Sequence, residues 1–434
     1  MEDTFSTIYE KNAWRSSESR SGSGSTQYHT KYIQEQLVHF IKKYKITSIF
    51  DCPCGDFNWF KNIVHEIPQY IGGDIVKAVI EKNKEQHNYN FIQFDITKDT
   101  FPEVDLIFCR DLLCHFSLDS ICNTLENIKK SKATYLLVTT NINRTFQSIK
   151  TGDWRPLSLF NKPFCFTRPI EIINENCSEF YPLYIDKSLA LWKVSDIPEL
   201  IPRKIFRAWH TKALPTDLQK AVDLINEQNP DFEQFVYDNQ ECETFIETHF
   251  DKKIMQAYKQ LIPQAYKTDL WRLCVLYIHG GIYLDISFQP VNGFRFIELL
   301  NKEYFSTEVK LHPYVKEPYK GVSNGFIATY PKNPRILECI KQLVQNVENR
   351  FYGNGIYDIT GAVLLGSFFS EEEKRGFVLK RHMIKPQNGY TLDGKYIVDR
   401  IISYDGDRKE GYHGAVIKQS YKTSWAKKEV YSSI

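Results

Sequence analysis

From Lys31 to Tyr44 apolar and polar residues recur at helical spacing, and ITSIFDCPCGDF (46–57) then runs as a buried strand into a turn. Strand and helix patterns alternate beyond it: YIGGDIV, a Lys/Glu-rich helix, NFIQFDI, VDLIFCRD, a helix near Leu118 to Lys130, and TYLLVTT. Such alternation predicts a parallel sheet covered on both faces, ending near Trp192. A second start follows Ile197-Pro198-Glu199-Leu200-Ile201-Pro202, whose prolines favour an extended hinge. The strand KIFRAW, a helix from Thr216, a strand near FEQFVYD, a helix through Ala265 to Tyr277 and one strand IYLDISF make another α/β series. The halves share no repeat, so two different domains are expected, residues 1–196 and 197–434. WRSSESRSGSGST (14–26) reads, on composition, as a flexible linker.

A hydrophobic fraction of 42% and a charged fraction of 25% over 434 residues are those of a soluble globular protein. A net charge of +2 with no polybasic run gives no support for nucleic acid as a partner. No stretch approaches the roughly 20 apolar residues of a membrane span, and MEDTFSTIYEKNAW lacks the apolar core of a signal peptide. Ten cysteines without a repeated C-x-x-C frame fit reduced core thiols, so the expected compartment is cytoplasmic and the sequons at Asn143 and Asn176 carry no glycan.

Open α/β sheets bind ligands at the carboxyl ends of their strands, where this chain repeatedly places polar residues. Asp51 ends the first strand and Gly55 follows in a turn that lets backbone N–H groups approach a ligand. Asp74 ends the second strand, where a carboxylate grips ribose hydroxyls, and Asp95 ends the third. Arg110-Asp111 ends the fourth, with His115 four residues beyond Asp111. A strand-end Asp more often caps a turn, so it is the recurrence that points to a site. The G-x-G-x-x-G of dinucleotide enzymes is missing. Cys52-Pro53-Cys54 is two close thiols without further ligands, a poor metal site.

FDCPCGDFNW, YIGGDIV, FDITKD, LIFCRDLLCHFS and YLLVTT together resemble a class I methyltransferase family with the first motif D-x-P-C-G-D-F-N-W. The resemblance covers roughly residues 10 to 195 and includes WRSSESRSGSGST, which the family keeps as part of its fold. It implies a Rossmann-like domain with S-adenosylmethionine as cofactor. Asp51 and Gly55 would line the methionine end, Asp74 the ribose and Asp95 the adenine. Arg110, Asp111 and His115 would face the methyl acceptor, with His115 the candidate base.

In the second half the densest chemistry is YKTDLWRLCVLYIHGGIYLDISF. Asp269 and Arg272 share one helix face, Gly280-Gly281 ends that helix, and Asp285 closes the next strand, where it can hold a ribose or a divalent cation on a diphosphate. The plainer reading is an intrahelical ion pair and a strand-end carboxylate. The block resembles glycosyltransferase family 32, D-x-D sugar transferases of the GT-A type, and the related bacterial toxin glucosyltransferases. IPRKIFRAWHT, SNGFIATYPKNP, the ITGAVLL segment and a late Ser-Trp pair support it over about residues 200 to 425. The resemblance implies that Trp209 stacks near the nucleotide base, Asp269 and Arg272 bind the donor sugar, and Ser424 and Trp425 close over the diphosphate. Asp285 would be the first acid of the D-x-D; Ser287 stands where the second acid, the usual metal ligand, is expected, and His413 is a further candidate ligand. A serine hydroxyl is a weak donor for Mn²⁺ or Mg²⁺, so the cation is expected to bind weakly or be dispensable.

These resemblances imply an α/β chain with two activities: methylation of a sugar or glycoconjugate, and retaining transfer from a UDP- or GDP-linked sugar to a glycan or glycoconjugate acceptor. Two other readings stay open: a non-catalytic sugar-binding second half, and a first half that methylates protein or a small molecule unrelated to sugars.

Overall fold

Strand Ser48–Asp51 is buried along its whole length, as a strand must be when helices cover both faces of its sheet. The computed structural model describes residues 1–179, 182–308, 321–382, 388–401 and 421–432, and the chain divides into two units, Met1–Glu199 and Leu200–Ile434. Each is α/β with its own sheet.

The strands of the first unit are β1 (Ser48–Asp51), β2 (Gln69–Asp74), β3 (Asn90–Gln93), β4 (Leu106–Cys109), β5 (Tyr135–Asn141), β6 (Glu171–Asn174) and β7 (Lys187–Lys193). They lie in the order β3-β2-β1-β4-β5-β7-β6. The first five are parallel, but β7 is antiparallel to both its neighbours, so the sheet is not wholly parallel as the alternation predicts. No helix lies between β6 and β7 among the described residues to carry a parallel crossover. Helix Leu118–Lys130 starts on Ser117, whose side chain accepts from the Ser120 amide, and buries Leu118, Ile121, Leu125 and Ile128 as one stripe.

Residues 14–26 are no free linker. Ser19 Oγ and the Arg20 amide donate to Asp56 at 2.9 and 2.8 Å, and Ser21 Oγ accepts from the Asp56 amide at 2.9 Å. Asn58 Nδ2 reaches Glu18 at 2.7 Å and the Ser25 carbonyl at 3.1 Å. The polar residues that made this segment look solvated are the ones that fasten it over the turn after β1.

The second unit carries β8 (Lys204–Ala208), β9 (Glu233–Tyr237), β10 (Gly281–Leu284), β11 (Phe288–Pro290), β12 (Tyr304–Glu308), β13 (Ser323–Thr329), β14 (Leu379–Arg381), β15 (Gly389–Leu392) and β16 (Lys395–Arg400) in one mixed sheet. The order is β11-β16-β15-β14-β12-β13-β10-β8-β9. IYLDISF is therefore two strands, not one. The Phe288 amide donates to the Asp285 carbonyl across a turn, and the chain leaves β8 and β13 to pair with β16 at the far edge. Helix Gln264–His279 follows Pro263 and is buried through Trp271, Leu273, Cys274, Val275 and Leu276. All ten cysteines are free thiols, so packing and hydrogen bonds hold both cores without disulfides. Among the described residues no helix is long and apolar enough to cross a membrane.

Because each unit closes its own sheet and core, fragments 1–199 and 200–434 expressed separately are expected to melt cooperatively, measured by calorimetry. A fragment that stays molten while the full chain is stable would show that the boundary is misplaced or that the two units fold only together.

Candidate functional site

In the first unit the chain winds outward in opposite directions from β1 and β4, which leaves a crevice beyond their carboxyl ends. A cavity of about 530 Å³ lies there. Its wall includes Cys52–Asp56 after β1, Asp74–Val76 after β2, Arg110–Leu112 after β4, His115, Thr139, and Arg20–Ser25 from the segment fastened by Asp56.

The strand-end residues divide. Asp74 lines the cavity, and its carboxylate accepts from the Val76 amide at 2.9 Å and the Gly55 amide at 3.2 Å. Burial pushes it up to about 6, with those amides pulling it back. Gly55 sits at φ +52°, and a Cβ there would stand 2.3 Å from Ser21 Oγ, so the covering segment approaches only because the position is glycine. Asp51 and Asp95 are not on the cavity wall, contrary to their expected place beside the cofactor. Asp51 is 3% exposed and accepts from Tyr70 Oη at 2.8 Å, and burial raises it to about 8. Asp95 accepts from the Thr97 amide and hydroxyl at 3.0 and 2.6 Å, while Phe94 and Ile96 reach the cavity instead.

Arg110 and Asp111 reach the cavity as parts of a charge network, not as free groups. The Arg110 guanidinium donates to Glu175 at 2.7 and 3.1 Å and to the Gly24 carbonyl at 3.0 Å. Asp111 takes Lys187 at 2.6 Å and Arg110 at 3.4 Å. Burial opposes ionisation of Asp111, but Lys187 and Arg110 outweigh it and hold the carboxyl below the usual range. His115 closes a short 3-10 turn, Leu113–His115. Its Nδ1 is 2.9 Å from the Asp153 carbonyl, which assigns the proton to Nδ1. Burial lowers its pKa, so the ring is neutral at pH 7, and Nε2 makes no hydrogen bond among the described residues.

In the second unit the helix Gln264–His279 and the turn after β10 bring Asp269, Arg272 and Asp285 together. Arg272 lies 3.1 Å from Asp269 and 3.3 Å from Asp285, with its guanidinium 4.4 Å from the Tyr283 ring centre. Asp269 also accepts from Asn324 Nδ2 at 2.9 Å and Thr360 Oγ1 at 2.7 Å; burial raises it to about 6. Tyr283 Oη donates to Asp285 at 2.8 Å. Gly325 is the close-approach residue: a Cβ there would stand 2.7 Å from Asp285 Oδ2 and 2.9 Å from Tyr390 Oη. Trp209 packs against the apolar cluster that holds Ile286 of the Asp285 turn. Residues 215–306 match the family described as a glycosyltransferase sugar-binding region containing a DXD motif.

The chain is also 28% identical over 201 residues to an uncharacterized glycosyltransferase of Acanthamoeba polyphaga mimivirus, covering 46% of this chain and 73% of that protein. An initiation-specific α-1,6-mannosyltransferase of Candida albicans is 26% identical over 92 residues. That match covers 20% of this chain, and the chain spans about a quarter (24%) of that enzyme's length. Among solved structures, an N-methyltransferase of Bradyrhizobium japonicum bound to S-adenosyl-L-homocysteine aligns with 43% of this chain and 97% of its own, at 12% identity and a TM-score of 0.33.

Other expected glycosyltransferase residues lie differently. Ser287, read as part of one strand IYLDISF, is buried in the turn between β10 and β11, where its carbonyl accepts from the Ile401 amide. Trp425 spends its indole N–H on the Tyr352 carbonyl at 2.7 Å, and Ser424 is buried with an unpartnered Oγ. His413 lies outside the described residues. No group of three His, Cys, Asp or Glu side chains suited to a metal occurs among the described residues. The partners missed in sequence are Ser21, Tyr70, Glu175 and Lys187 in the first unit, and Tyr283, Asn324, Thr360 and Tyr390 in the second. The segments WRSSESRSGSGST, YIGGDIV, IYLDISF, SNGFIATYPKNP and ITGAVLL, already noted, contained Ser21, Tyr70, Tyr283, Asn324 and Thr360 without marking them as partners.

The raised carboxyl of Asp51 has a pH signature. A folded-state pKa near 8 against about 4 unfolded means the folded chain holds the proton longer, so stability falls as pH rises between those values. Asp51→Asn should leave urea unfolding of the first unit little changed at pH 4 and stabilise it at pH 8 by on the order of 3 kcal/mol. Equal effects at both pH values would mean that the carboxyl is not desolvated.

Proposed function

We propose that the first unit methylates an acceptor with S-adenosylmethionine and that the second transfers a sugar from a nucleotide-sugar donor, a glycan or glycoconjugate being the shared acceptor. What carries the reading is that the first unit gathers polar groups at strand ends around one cavity, and that the match over residues 215–306 includes Asp269, Arg272 and Asp285.

The first cavity suits such a cofactor. Asp74 offers carboxylate oxygens to ribose hydroxyls, the bare backbone at Gly55 admits close approach, and Phe94 and Ile96 give apolar walls for a flat base. When bound, the cofactor supplies a methyl group on a positively charged sulfur. Catalysis of that transfer rests mainly on alignment. His115, neutral and with Nε2 uncommitted, takes the proton of an acceptor hydroxyl, while the Asp153 carbonyl fixes its tautomer. Asp111 is held ionised by Lys187 and orients the acceptor side. Asp74→Ala should weaken S-adenosylmethionine binding roughly 10- to 150-fold in calorimetry, whereas Asp95→Ala should change it little. The reverse order would return the adenine contact to Asp95.

In the second unit Asp269 and Arg272, locked to each other and to Asn324 and Thr360, meet the hydroxyls of the sugar. Asp285 accepts from the donor's ribose. Transfer breaks the bond between the anomeric carbon and the diphosphate oxygen, whose electron pair leaves with that oxygen. The acceptor hydroxyl adds from the same face and passes its proton to the departing phosphate, keeping the configuration. Ser287 favours a second reading, a unit that binds sugars without turnover. Nucleotide release from a panel of UDP- and GDP-sugars separates them. Wild type should release nucleotide, with Asp285→Ala about 10- to 150-fold lower in kcat/KM. Binding without release in wild type leaves only the sugar-binding role.

A further inference from the structure

The turn Asp285–Ser287 is short of carboxylates and rich in guanidiniums. Asp285 is its one acid; Ser287 is neutral and buried, and both oxygens of Asp269 already accept from Asn324 and Thr360. That donor set does not fit a divalent cation, which takes several anionic or carbonyl oxygens.

Arg207 on β8 is fully buried beneath the same turn. It donates to the carbonyls of Ile286 at 2.6 Å and Phe288 at 2.8 Å, the residues on either side of Ser287, and to Gln234 at 3.3 Å. Its Nε has no partner, and no carboxylate pairs with it among the described residues. Arg381 on β14 is buried as well. It donates to the Gly389 carbonyl and the Asn388 side chain at 3.0 and 2.7 Å and to the His382 carbonyl, again without a carboxylate among the described residues. It lies 5.0 Å from the ring centre of Phe288 and 5.2 Å from that of Tyr390, whose hydroxyl flanks Gly325 together with Asp285.

Among the described residues Arg272, Arg207 and Arg381 stand around the turn with the carboxylates Asp269 and Asp285, and β16, paired to β11, adds Arg400 and Asp399 beside Phe288 and Gln289. Asp285 acts on the charge of Arg207, but no carboxylate forms an ion pair with Arg207 or Arg381 among the described residues, and a buried cation without a paired anion is costly. A diphosphate is an anion of the size and charge such a site can take.

We propose that the second unit holds the diphosphate of a nucleotide sugar with guanidinium charge in place of a divalent cation. Arg207 and Arg381 act as positioning residues: Arg207 fixes the turn and places its charge under it, and Arg381 adds charge from the β14 side. The inference rests on the sugar-transfer reading above.

The test is calorimetric titration of the full chain with UDP and with GDP, in EDTA and in Mn²⁺, at two ionic strengths. Whichever nucleotide binds should do so within about twofold in the two metal conditions, and more weakly in high salt, since screening cuts charge attraction. Arg207→Gln and Arg381→Gln should each weaken binding about tenfold and flatten the salt dependence, while Arg207→Lys keeps most of both. Ser287→Asp should weaken binding in EDTA and make it recover in Mn²⁺, because it returns an acid to the turn. Melting curves report whether the glutamine variants fold; if they do not, the wild-type metal comparison, Ser287→Asp and Arg207→Lys still decide. Wild-type binding that vanishes in EDTA and returns with Mn²⁺ overturns the proposal, as do folded glutamine variants that bind like wild type. If neither nucleotide binds under any condition, the sugar-transfer reading itself falls.

Discussion

A carboxylate taken out of water keeps its charge only where donors or cations replace the water, and both units are organised by which carboxylates obtain them. In the first unit Ser19, Arg20 and Ser21 converge on Asp56, and through it Arg20–Ser25 become part of the cavity wall. Asp111 has Lys187 and Arg110 and stays ionised. Asp74 has only backbone amides and is poised near 6. Asp51 has one tyrosine and is driven up to about 8, off the cavity wall. Four aspartates that look equivalent in the chain thus become an anchor, an ion-pair member, a cavity-lining acceptor and a buried acid.

The same accounting explains why the two conspicuous motifs of the first half occur together. The Ser-rich segment and C-G-D-F-N-W are complementary parts of one hydrogen-bonded layer, with Asp56 and Asn58 receiving the one and presenting to the other. Gly55 lets them meet, since a side chain there would collide with Ser21. A stretch rich in Ser and Gly is ordered here because its polar groups are satisfied by a neighbouring turn, which composition cannot register.

In the second unit the balance runs the other way. Asp269 and Asp285 share Arg272, and two further guanidiniums, Arg207 and Arg381, lie buried around the same turn. A buried guanidinium that holds two carbonyls of a turn makes that turn rigid, and rigidity is what a site needs to act on charge developing in a leaving group.

Much of the architecture was legible in the chain. Period and length located β1 to β5, the helix from Leu118 and the long helix through Ala265 to Tyr277, because burial of one helix face or of a whole parallel strand leaves a local pattern. Gly55, Asp74, Asp269, Arg272 and Asp285 could likewise be picked out, since each stands beside a strand or turn signal. Direction within a strand end could not: whether Asp51 or Cys52, Asp95 or Phe94, faces the cavity depends on pleat and on neighbours such as Tyr70 and Thr97. Nor could the break in IYLDISF, which follows from β11 pairing with β16, over a hundred residues away in sequence. The chain by itself determined the elements and the supply of acids, bases and glycines. Only the tertiary structure decided which of them meet, because the partners that set a buried charge, Glu175 for Arg110, Lys187 for Asp111 and the Ile286 and Phe288 carbonyls for Arg207, come from distant strands and carry no local signal of their own.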